Sequence, residues 1–74
     1  MTCQLSVLLS SSPEALLRLL SLIQRRGFSP LSVDAKSASD QKMKVNLCLR
    51  SERDNENLCH QIKKLVDVEQ VEVV

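Results

Sequence analysis

The chain has 74 residues, and ten lysines and arginines against nine aspartates and glutamates give it a formal net charge of +1 at pH 7. A chain of this length forms one small domain, so residues 1–74 are predicted to be a single domain. The near-neutral charge gives no long-range attraction to nucleic acid or to an anionic membrane. No apolar run approaches the roughly 20 residues of a membrane-spanning helix, and no signal-peptide pattern is expected at the start. Three scattered cysteines, an odd number, indicate reduced thiols in the cytoplasm.

The first predicted strand runs from Thr2 to Leu9, because apolar and polar residues alternate there. A helix with both ends specified follows. Ser12 is a suitable N-cap, Pro13 fits the first helical position, and Gly27 can take the left-handed conformation that ends the helix. The buried face of this helix is predicted to be Leu16, Leu19, Leu20 and Ile23.

Two further strands are predicted on either side of a polar connection at 37–41. Pro30 lies near the start of the second strand, and proline is tolerated only at a strand start or edge. The apolar side of the second strand is Leu31, Val33 and Ala35, and that of the third is Met43, Val45, Leu47 and Leu49.

The last part of the chain predicts a helix and a strand. Ser51 with Asp54 three residues later resembles a capping box. Leu58, Ile62 and Leu65 mark the buried face of the second helix, and Val68, Val71 and Val73 mark the last strand. The broken alternation between Val68 and Val71 indicates a bulge or a late strand start.

The order strand, helix, strand, strand, helix, strand predicts an α+β fold of the ferredoxin-like βαββαβ type. Such a fold has a four-stranded antiparallel sheet with both helices on one face. The second and fourth strands lie at the edges, where they can pair with another chain. The open face is predicted to carry Gln4, Ser6, Leu8, Ser32, Asp34, Lys36, Lys44, Asn46, Cys48 and Arg50.

Several kinds of chemistry are not supported by the residues. The open face has no aromatic ring on which RNA bases could stack. The first loop has no cysteine pair, and no Cys/His spacing of a metal site occurs. Cys59 and His60 are neighbours, which point about 100° apart on a helix and make a poor nucleophile–base pair. We therefore expect no catalytic residues and no bound metal or cofactor in this chain.

Three segments carry a resemblance to a known family. Residues 12–20 (SPEALLRLL) and 25–28 (RRGF) resemble the first helix and turn of ACT domains, and residues 64–68 (KLVDV) with Val71 resemble their second helix and last strand. The chain is most similar to the small regulatory subunits of acetolactate synthase, also called acetohydroxyacid synthase. The Pro-Glu pair at 13–14, the turn at 38–40 and the short length favour the isozyme II type.

The resemblance implies an activating subunit in isoleucine, valine and leucine biosynthesis. Its partner would be a large catalytic subunit that carries thiamine diphosphate, magnesium and FAD. ACT domains commonly form dimers through their second strands, so a homodimer is implied as well. Two alternatives stay open: a free-standing sensor of a small amino acid at a dimer interface, and a structural module of the same fold.

The resemblance also assigns candidate site residues. In effector-binding relatives the first loop reads Asn-x-Pro-Gly, and the effector lies between this loop and the second strand of a neighbouring domain. Here Ser11 replaces the asparagine and Glu14 replaces the glycine, so we expect a degenerate site and no feedback inhibition through it. Leu17 is either part of the core or an exposed contact for the large subunit. The implied effector-site residues are Ser11, Ser12, Pro13, Glu14, Ala15 and Ser29.

Overall fold

The computed structural model describes residues 2–52 and 56–74. The strands form one antiparallel sheet in the order β2-β3-β1-β4, which confirms the predicted ferredoxin-like α+β fold. The predicted capping box cannot be compared, because Asp54 lies outside the described residues. The elements are β1 (Thr2–Ser10), α1 (Pro13–Arg25), β2 (Ser29–Ser39), β3 (Lys42–Arg50), α2 (Glu56–Lys63) and β4 (Val68–Val73).

The core lies between the two central strands and the helices. Residues of β1 and β3 that face each other on the inner side, such as Val7 and Val45, are fully buried. Helix α2 adds Leu58 and Ile62 to this layer, as predicted. Leu65 lies beyond the end of α2 and is only half-buried, so the helix is shorter than the pattern indicated. The register also places the predicted open-face residues on the side of the sheet away from this core.

Both predicted ends of α1 are confirmed. The backbone N–H of Ala15 donates to the hydroxyl oxygen of Ser12 over 3.2 Å, which makes Ser12 the N-cap. At the other end, Gly27 has a φ of 86°, the left-handed conformation that a residue with a Cβ adopts at a cost.

The buried face of α1 differs from the predicted one. Ala15 and Leu22 are buried together with Leu19, whereas Leu16 and Leu20 are only half-buried. Arg18 lies on the Ala15 and Leu22 flank of the helix and forms an ion pair with Asp67, the residue before β4. Periodicity alone cannot choose between two adjacent apolar flanks.

Strand β2 is longer and more exposed than its sequence pattern indicated. It extends to Ser39, so the connection to β3 is only the turn at 40–41. Its apolar residues stay accessible, with 52% of Leu31 and 41% of Val33 exposed. The register with β3 shifts at Leu31 and again at Ala38, which places a bulge at each position. The irregularity predicted in β4 is also present, between Val68 and Gln70.

The N-cap gives a direct test of how α1 is specified. We expect Ser12→Ala to lower the free energy of unfolding by about 1 kcal/mol, because the first-turn N–H of Ala15 loses its acceptor. The matched control is Ser11→Ala, which removes an exposed hydroxyl in the same loop. Urea denaturation followed by circular dichroism measures both. Equal losses for the two variants would contradict the capping role of Ser12.

Candidate functional site

The backbone N–H groups of the loop before α1 are hydrogen-bonded to carbonyls within the chain. The N–H of Ser11 donates to the carbonyl of Gln41 over 3.0 Å, and the N–H of Ser12 donates to the carbonyl of Ser10 over 2.9 Å. The N–H of Ala15 is bound by the N-cap hydroxyl, and Pro13 has no N–H to offer. A carboxylate at this helix N-terminus would therefore have to displace existing hydrogen bonds. Ser12 and Ala15 are both among the implied effector-site residues, and the structure shows their N–H groups occupied.

Glu14 adds a charge to the same helix end. Its side chain is exposed in the first turn of α1, where a carboxylate is stabilised by the positive end of the helix dipole. A second carboxylate at about 4 Å would be repelled by about 1–4 kcal/mol at the dielectric of water or of a protein surface. The positive end of the α1 dipole is thus already near a carboxylate of the same chain.

Ser29 does not lie near this loop within one chain. It pairs with Arg50, which pairs with Thr2 at the far end of β1, whereas the loop follows Ser10 at the near end. The nine residues of β1 separate these ends by about 27 Å at roughly 3.3 Å per residue. The implied effector-site residues therefore form two groups at opposite ends of the sheet, and only a second copy could bring Ser29 next to Ser11.

Leu17 lies on the solvent side of α1. Its side chain is 64% exposed, so it is not part of the core. Counting 100° per residue, it points about 160° away from the direction of the buried Ala15. The interpretation of Leu17 as a surface contact stays a prediction.

Cys59 and His60, the neighbouring residues on α2, lie in different surroundings. Cys59 is half-buried against the core, and burial raises the pKa of its thiol, with a further increase from Cys3 and a smaller decrease from Lys63. His60 is exposed. Within residues 2–52 and 56–74, no group of three histidine, cysteine, aspartate or glutamate residues could hold a metal ion. No helix in this described part is long and apolar enough to cross a membrane.

The fold defines a small ferredoxin-like domain whose strands β2 and β4 lie at the edges of the sheet. A family model described as the ACT domain matches residues 11–71. The chain is also 37% identical over 71 residues to the acetolactate synthase isozyme 2 small subunit of Escherichia coli strain K12, and equally to that of Shigella flexneri. These alignments cover 95% of this chain and 82% of each relative. The chain therefore belongs to the ACT-domain family, in the branch of acetolactate synthase small subunits.

Solved structures support the fold. The ACT domain from GTP pyrophosphokinase of Chlorobium tepidum superposes with a TM-score of 0.83 at 12% identity, covering 100% of this chain and 97% of that one. The acetolactate synthase small subunit from Thermotoga maritima gives a TM-score of 0.84 at 24% identity, covering 99% of this chain and 47% of that one. At these identities the likeness shows a shared fold.

The occupied helix N-terminus predicts that free branched-chain amino acids do not bind at this loop. We expect titration calorimetry with valine, leucine and isoleucine at millimolar concentration to give no heat. The double variant Ser11→Asn with Glu14→Gly removes the charge and the bulk, and serves as the comparison. Saturable binding to the unmodified protein at micromolar ligand would contradict the prediction, most directly if the double variant bound no better.

The raised pKa of Cys59 gives a pH-dependent prediction. A thiol with a higher pKa has less thiolate at pH 8, and the thiolate is the nucleophile. We expect the alkylation rate of Cys59, followed by mass spectrometry, to rise with pH at a higher midpoint in the native protein than in urea-unfolded protein. The unfolded chain is the matched control because it contains the same residue. A lower native midpoint would show that burial does not dominate the pKa.

Proposed function

We propose that this chain is the non-catalytic, activating small subunit of an acetolactate synthase in branched-chain amino acid biosynthesis. The observation that supports this most is the 37% identity to isozyme 2 small subunits along 95% of the chain. In this proposal the large catalytic subunit carries thiamine diphosphate, magnesium and FAD, and this chain acts by binding to it. The exposed, largely polar sheet face and the apolar Leu17 are surfaces available for such binding.

We also infer that two copies associate through β2. The core is small, so folding is expected to gain from a partner. The apolar side chains of Leu31 and Val33 are accessible on an edge strand, which is where another chain can pair. Antiparallel pairing of two β2 strands would bring Ser29 of the second copy toward the end of β2 that adjoins Gln41 and the loop before α1. A composite effector site would thus need both copies.

The same loop favours an activator without feedback inhibition over a free-standing amino-acid sensor. The N–H groups of Ser11, Ser12 and Ala15 are bound within the chain, and Glu14 repels an incoming carboxylate. A cytoplasmic location is part of the proposal, and it agrees with the three cysteines, none of which is in a disulfide in the described part of the chain. Neither nucleic acid nor membrane is proposed as a partner.

Reconstitution tests the proposed function directly. A candidate large subunit, loaded with its cofactors, is assayed for acetolactate formation alone and with increasing amounts of this chain. We expect the rate to rise and saturate, and the two chains to elute together in size-exclusion chromatography. A large subunit that neither binds this chain nor gains activity would overturn the proposal for that pair.

Leu17 provides a sharper test of the docking surface. Burying a leucine side chain contributes about 1.5–3 kcal/mol. We therefore expect Leu17→Glu to raise the concentration needed for half-maximal activation of the large subunit at least about tenfold. Folding should be unchanged, because the side chain is exposed. The matched control is Val66→Glu, since Val66 is 90% exposed in the turn before β4. Equal activation by both variants would exclude Leu17 from the docking surface.

A further inference from the structure

The hydrogen-bond pattern fixes which backbone groups of β2 face outward. The N–H of Val74 donates to the carbonyl of Gln4, and the N–H of Ser10 donates to the carbonyl of Asp67, each over 2.9 Å. Even-numbered residues of β1 therefore direct their backbone groups toward β4, and odd-numbered ones direct theirs toward β3. Odd-numbered residues of β3 pair with odd-numbered residues of β1, so even-numbered residues of β3 direct their backbone groups toward β2. The even-numbered residues of β2 from 32 to 36 pair with them, which leaves the N–H and C=O groups of Val33, Ala35 and Ser37 on the free edge.

Only part of this edge is regular enough to pair. The bulges at Leu31 and Ala38 interrupt the ladder on both sides, so the regular segment is 32–37. A two-fold axis normal to the sheet pairs two such segments antiparallel and places one residue opposite its own copy. The two copies of segment 32–37 overlap most when the residue opposite its own copy is Asp34 or Ala35. If any other residue lies on the two-fold axis, more of the segment is paired with residues beyond the bulges.

Charge decides between these two registers. Centring on Asp34 would place two aspartates directly opposite each other, and like charges in that position destabilise a sheet. Centring on Ala35 places Asp34 of each copy opposite Lys36 of the other. These would be pairs without backbone hydrogen bonds between them, in which side chains approach most closely. Within one chain Asp34 and Lys36 are already 3.7 Å apart, so the interface would hold four alternating charges.

We propose that two copies of this chain pair along β2 in the register that sets Ala35 opposite Ala35 and Asp34 opposite Lys36. This inference rests on the proposed association through β2 and specifies its geometry. Val33, Ala35 and Ser37 exchange their backbone hydrogen bonds across the interface. The start of β2 in one copy then lies beside the turn at 40–41 of the other, and the carbonyl of Gln41 in that turn holds the loop before α1.

Charge reversal tests the ion pairs. We expect Asp34→Lys and Lys36→Asp each to weaken the dimer at least about tenfold in sedimentation equilibrium, because each makes all four interface charges alike. An equimolar mixture of the two variants should form heterodimers of near wild-type affinity, since one edge is then positive and the other negative. Single variants that dimerise like the wild type, or a mixture that stays monomeric, would overturn the proposal.

Cysteine trapping tests the register. In a Cys48→Ser background, a mixture of Asp34→Cys and Lys36→Cys chains is oxidised with oxidised glutathione, and each variant alone is the control. We expect a disulfide between positions 34 and 36 of different chains, and little cross-linking of either variant alone. Strong cross-linking of Asp34→Cys alone would show the Asp34-centred register and overturn this one while leaving the dimer.

The two proposals can fail separately. A wild-type protein that is monomeric at all concentrations overturns the pairing and its register. Activation of the large subunit by that same monomer would leave the regulatory function standing.

Discussion

The pairing of β1 with β3 is the constraint on which the other features depend. Most of their inner residues are buried, with Leu5 opposite Leu47 and Val7 opposite Val45. Buried residues of both helices join them in one hydrophobic core. A sheet of four strands covered in this way leaves its two outer strands at the margin. The exposure of β2 is therefore a result of how the core is built in so short a chain.

Several N–H groups at the N-terminus of α1 and in the loop before it are hydrogen-bonded within the chain. Helix ends bind anions because their N–H groups lack partners. In this chain the N–H of Ala15 is bound by the hydroxyl of Ser12, and the N–H groups of Ser12 and Ser11, in the loop before the helix, are bound by carbonyls within the chain. Glu14 adds a carboxylate to the first turn. The ACT fold is thus combined here with a first loop whose N–H groups at 11 and 12 are bound within the chain.

Much of the fold could be predicted from the sequence, because local patterns carry it. Alternation in β1 and β3 and the capping residues of α1 act within a few positions of the chain. The buried face of α1 could not be predicted, since periodicity alone does not choose between adjacent apolar flanks and contacts such as Arg18 with Asp67 join residues 49 positions apart. The exposure of Val33 and the bulge at Leu31 depend on the register with β3. Likewise, the occupied N–H of Ser11 could be found only from its contact with Gln41, at the end of the β1–β3 ladder.

That contact has a mechanical consequence. The turn at 40–41 is the tip of the hairpin formed by β2 and β3, and its Gln41 carbonyl is tied to the chain just before α1. Because Ser11 and Gln41 follow the pair Ser10 and Lys42, this hydrogen bond extends the β1–β3 ladder by one rung beyond the strands. The hairpin tip is thereby held against the residue that precedes the N-cap of α1, the helix on which Leu17 lies.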